Sequence, residues 1–78
     1  MEEMAGSLTK PQAKVLDFAQ SNAVREVPKE DSRRETGLFG AALDMVLFSL
    51  NKRGLVDEAG RATASGREAL KRYYEAIG

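Results

Sequence analysis

From Gly37 to Arg53 the chain reads GLFGAALDMVLFSLNKR, a segment apolar on almost every side of a helical wheel and followed at once by Gly54. Wound at about 100° per residue, Phe39, Ala42, Leu43, Val46 and Leu50 form one continuous stripe, the expected core face. Asp44 and Asn51 mark the opposite side. Leu38, Ala41, Met45 and Phe48 fill the arc beside them, where a lone surface helix is polar. A helix of this kind is either central to a bundle or meets a partner, so these four residues are candidates for a protein interface.

The end of this helix is well marked. Lys52 and Arg53 place positive charge in the last turn, where it suits the helix dipole, and Gly54 can adopt the left-handed conformation that closes a helix. Leu55 is then expected to fold back toward Leu50. Leu55 and Val56 are strand-like, Gly60 carries a turn signal between Glu58 and Arg61, and Ala62 and Thr63 return as the second arm of a minimal hairpin.

Three capping-box patterns set the remaining helices. Thr9 with Gln12, and Pro11 in the first turn, open a helix near Lys10 that runs to about Ser21 or Asn22. It buries Leu8, Val15, Leu16, Phe18 and Ala19. Ser32 with Glu35 marks either a short helix or the start of the long apolar one, after a charged stretch in which Val24 and Val27 form a short extended piece before Pro28. Ser65 with Glu68 opens the last helix, whose expected inner face is Leu70, Tyr73, Tyr74 and Ile77. Residues 1–7 are expected to be a flexible tail on a single domain spanning 1–78.

At 78 residues the core is small, and a partner subunit would add stability. Twelve basic and twelve acidic residues cancel, so no long-range positive field draws the chain to phosphate and any nucleic-acid site must be local. The absence of Cys and His removes disulfides, thiolate nucleophiles, imidazole bases and the common zinc sets. No cofactor, metal or catalytic activity is expected. No stretch approaches the roughly 18 apolar residues of a membrane span, and the acidic MEEMAGS start is unlike a secretory signal, so no membrane contact and a cytoplasmic location are expected.

The order helix, polar segment, apolar helix, LNKRGLV, short turn, TASGREAL resembles the winged helix-turn-helix domain of MarR-type and related bacterial transcription regulators. Leu50, Arg53, Gly54, Leu55 and Val56 carry the first match, Thr63, Gly66, Ala69 and Leu70 the second, and LTKPQAKVL from Leu8 to Leu16 the opening helix. The resemblance implies a mainly α, winged-helix-like fold of three to four helices with a minimal two-stranded wing. The long apolar helix would be the recognition helix, and the segment PKEDSRRET the compressed helix before it.

The resemblance further implies double-stranded DNA as partner. Arg33, Arg34, Lys52, Arg53 and Arg61 would then contact phosphates, and Asn51 a base. Yet the outer face of the recognition helix offers Gly40, Ala41, Asp44, Met45, Phe48 and Asn51, with no cation before Lys52. A carboxylate repels phosphate and a phenyl ring reads no hydrogen-bond pattern. The alternative is therefore a protein-contact or homodimerisation module using Leu38, Ala41, Met45 and Phe48.

Overall fold

The computed structural model describes residues 8–77. The expected tail at residues 1–7 lies outside them. Among the described residues the protein is mainly α, with four helices: α1 Lys10–Ala19, α2 Lys29–Thr36, α3 Gly40–Lys52 and α4 Ala64–Ile77. α1 packs against all three others and is the hub of the fold, so the apolar α3 is not the central helix.

α1 forms as its local sequence requires. The Thr9 hydroxyl accepts from the Gln12 N–H at 3.2 Å and the Gln12 side chain accepts from the Thr9 N–H at 3.0 Å, a reciprocal capping box. Ala13, Val15, Leu16 and Ala19 are buried. The helix stops at Ala19, short of the expected end, and the Asn22 side chain donates to the Phe18 carbonyl at 3.0 Å there. The 23–27 segment is a turn, not an extended strand, with Ala23 and Val24 buried.

α2 is a separate short helix of eight residues, one of the two alternatives that the Ser32–Glu35 pattern leaves open. Glu30 and Asp31 lie in its first turn and Arg33 and Arg34 in its last, which aligns the charges with the dipole. Ser32 does not cap it. Pro28 is the N-cap, and Ser32 lies inside the helix with Thr36 one turn on, both buried. The Thr36 hydroxyl donates to the Ser32 carbonyl at 2.6 Å and accepts from the Leu38 N–H at 3.1 Å. A polar pair thus forms the inner face of α2.

The core face of α3 is rotated from the expected stripe. Leu43, Leu47 and Leu50 are buried, with Val46 half-buried, while Phe39 is 58% exposed and Ala42 faces solvent. Phe39 precedes the helix in an extended conformation, so wheel extrapolation does not apply to it. Leu47 takes the inward place that Phe39 and Ala42 were expected to hold.

The α3 terminus is a Schellman motif. The Leu55 N–H donates to the Leu50 carbonyl and the Gly54 N–H to the Asn51 carbonyl, both at 2.9 Å, with Gly54 at φ +76°. Leu55 folds back into the core beside Leu50, as expected.

The expected two-stranded hairpin is reduced to a single antiparallel bridge between Val56 and Ala62. The Asp57 carboxylate closes its turn by accepting from the Ala59 and Arg61 N–H groups at 3.0 and 2.9 Å. The tip does not project. Val24 and Arg25 donate their N–H groups to the Gly60 and Ala59 carbonyls, and Ala62 donates to Ala19, which pins the turn onto the body.

α4 is capped before the position that the Ser65 pattern predicts, so that Ser65 itself lies inside the helix. Thr63 is the capping residue: its hydroxyl accepts from the Gly66 N–H at 3.0 Å and donates to the Gly54 carbonyl at 2.7 Å. Leu70 is buried and Tyr73 half-buried, but Tyr74 and Ile77 are exposed because the helix runs past the body. The Tyr74 hydroxyl donates to the Asp17 carboxylate at 3.2 Å. Partial burial, then this neighbouring carboxylate, raises the phenol above the ordinary tyrosine pKa. Among the described residues, no helix is long and apolar enough to cross a membrane.

Candidate functional site

The cations expected to grip phosphate are spread over several elements, and most have partners within the chain. Arg34 lies 2.6 Å from Asp31 on the same helix. Arg33 is exposed and its guanidinium stacks 4.6 Å from the centre of the Phe39 ring. Lys52 sits 5.7 Å from the centre of the Phe48 ring, at the far end of α3. Roughly 18 Å of helix separates the two ends at about 1.5 Å per residue.

Two of the expected DNA-contacting side chains are committed to the fold. The Asn51 amide donates to the Val56 carbonyl at 3.1 Å, bracing the helix end against the bridge, which commits one of its two N–H groups and fixes the orientation of the amide. Arg53 is half-buried and donates to the Gln12 side chain at 3.4 Å, across from the start of α1. Arg61 is exposed, but on a turn whose neighbouring Gly60 is buried against Val24 and Arg25.

The apolar candidates divide differently. Ala41 is exposed, Met45 is 71% exposed and Phe48 is 62% exposed, and they lie on the side of α3 opposite Leu43 and Leu50. Leu38 does not belong with them. It sits in the turn between α2 and α3, half-buried and packed on the core. Asp44 flanks the stripe and lies 3.9 Å from Arg25, which offsets its charge. Phe39, which helical periodicity predicts in the core, instead joins the exposed apolar set at the start of the helix.

Two hollows accompany this surface. A broad cleft of about 590 Å³ runs beside Arg53, Leu55 and the first turns of α4, and the Glu68–Arg72 pair at 3.2 Å lies along it. Arg53 is the third charged residue of its lining. A smaller cavity of about 180 Å³ lies between α2, the 24–27 turn and the first half of α3, and Ser32 lines it. Nothing in the sequence pattern signalled this cavity, because its walls come from three separate segments.

No protein-family model matches the chain, and neither the curated proteins nor the solved structures contain a significant match to it.

Proposed function

We propose that the chain is a non-catalytic protein-contact module that pairs with a second copy of itself through the outer stripe of α3. The observation that carries this reading is a helix apolar on both sides yet placed off the hub of the fold, with Met45 and Phe48 mostly in solvent. Large apolar side chains left in water on one face are an interface signature, and Met and aromatic residues are enriched in interface cores.

The stripe is self-complementary. Two α3 helices crossing antiparallel about Met45 bring Phe48 of each against Ala41 of the other, a large side chain over a small one, as an isologous contact requires. Asp44 lies near the crossing with its charge offset by Arg25. A stable dimer buries about 800 Å² per partner, more than one helical stripe supplies, so the pairing is weak and concentration-dependent.

Sedimentation equilibrium over a concentration series is expected to show a monomer–dimer equilibrium for the wild type. Phe48→Glu is expected to be monomeric with an unchanged circular dichroism spectrum. A wild-type chain that stays monomeric up to its solubility limit would overturn the proposal.

A winged-helix-like DNA-binding role is the second reading. It is favoured by α2 and α3 being joined through the short turn Gly37–Phe39, a helix-turn-helix order, with Arg34 and Lys52 exposed near its two ends. Its test is duplex binding at low ionic strength that weakens steeply with salt and is lost when Arg33, Arg34 and Arg61 are reversed in charge. The pinned turn and the engaged Asn51 lead us to expect no such binding.

A further inference from the structure

Among the described residues, the Ser32 hydroxyl is buried without a hydrogen-bond partner, whereas the other buried polar side chain, Thr36, both donates and accepts. Buried hydroxyls are as a rule paired, and an unpaired one calls for a physical reason. Ser32 lines the cavity between α2 and α3 together with Val24, Val27, Leu43 and Leu47 on its inner side. The buried inner part of this hollow is thus apolar apart from Ser32, while Arg25, Lys29 and Asp44 line its exposed mouth.

Its size and rim narrow the occupant. An enclosed cavity of about 150 Å³ accepts a benzene ring, so one of about 180 Å³ holds a single six-membered ring with one further heavy atom. The apolar walls disfavour a charged anchor, whose desolvation they would not repay. At the rim stand Arg25 and Lys29, with Asp44 as the one carboxylate, and Phe39 beside them carries Arg33 over its ring. The start of α3 adds its own positive end, since no side chain caps it and no acid lies in its first turn.

We propose that this cavity takes a tyrosine side chain presented by an acidic segment of a partner protein. The ring fills the space between Val24, Val27, Leu43 and Leu47, the phenolic hydroxyl pairs with Ser32, and flanking carboxylates meet Lys29 and Arg33, Arg25 being already paired with Asp44. The site lies on the flank of α3, apart from the Met45–Phe48 stripe, so it goes beyond the self-pairing proposed above.

The test is an amide-shift titration of the monomeric Phe48→Glu variant with short peptides holding one tyrosine, phenylalanine or alanine between glutamates. In that background, the outcome does not depend on whether the wild type self-associates. Shift changes are expected over residues 24–32 and 39–47, and the tyrosine peptide should bind about three- to tenfold more tightly than its phenylalanine counterpart, as one net hydrogen bond allows.

Ser32→Ala should erase that preference while remaining folded, because it removes an unpaired buried hydroxyl. Equal binding of the tyrosine and phenylalanine peptides to the Ser32 protein would overturn the hydroxyl assignment. Equal binding of the alanine peptide would show charge attraction alone, and unshifted amides at 24–32 would show that the cavity is not the site; either result overturns the proposal.

Discussion

Gly66→Ala is expected to leave the chain largely unfolded at room temperature. Gly66 lies in the first turn of α4 and is buried, and a β-carbon there would stand 2.0 Å from the Leu55 carbonyl oxygen and 3.1 Å from a Leu16 methyl. Neither side can yield easily. The Leu55 carbonyl accepts the Thr63 N–H at 3.0 Å, and Leu55 itself is held by the Schellman bond to Leu50. Relief would require α4 to lift off, breaking the Thr63 cap to Gly54 as well.

Intrinsic propensity points the other way, since alanine favours a helix over glycine by about 1 kcal/mol. Overpacking against backbone is the larger effect, at about 3 kcal/mol or more. A domain of this size has a net stability of only about 3–5 kcal/mol. Urea unfolding followed by circular dichroism decides the sign: a variant as stable as the wild type would mean that α4 does not approach Leu55 this closely.

Leu50→Ala is expected to cost about 2–5 kcal/mol, with the upper part of that range abolishing cooperative unfolding in a chain this small. Leu50 is fully buried among Leu16, Leu47, Leu55 and Leu70, and its carbonyl anchors the turn that brings Leu55 inward. Truncation opens a cavity at the junction of three elements. Phe48→Ala, two residues away and mostly exposed, should change monomer stability by no more than about 0.5 kcal/mol. Comparable losses in the two variants would show that α3 is rotated from the orientation described.

That pair of substitutions shows where sequence reading reaches its limit. Leu50 and Phe48 lie in the same apolar run, and periodicity placed Leu50 correctly but gave Phe39 and Ala42 the inward place that Leu47 holds. A helix apolar all round has no polar side to orient it. For α2 the sequence leaves a short helix and the start of α3 both open, for the opposite reason: its inward residues are Ser32 and Thr36, so no apolar period announces its two turns. The start of α4 offered competing signals, and Thr63 prevailed over Ser65 because Leu55 and Gly54 hold its backbone and hydroxyl in place.

The candidate site followed the same division. Exposure of Ala41, Met45 and Phe48 agrees with the arc assigned from the wheel, whereas Leu38 was drawn into the core by the turn that Thr36 braces. The engagement of Asn51 with Val56 and of Arg53 with Gln12 had no local signal, since each depends on where a second element ends up.

What the sequence determined by itself were the features made within a few residues: the Thr9–Gln12 box, the closure of α3 at Gly54 and the return of Leu55. Their partners are close along the chain, so their geometry follows from local hydrogen bonding. The tertiary structure alone decided that α1 is the hub, that the turn at Gly60 is pinned rather than projecting, and that Ser32 lines a cavity. Each of those depends on burial shared between distant segments, and burial is a property of the packed chain rather than of any single stretch of it.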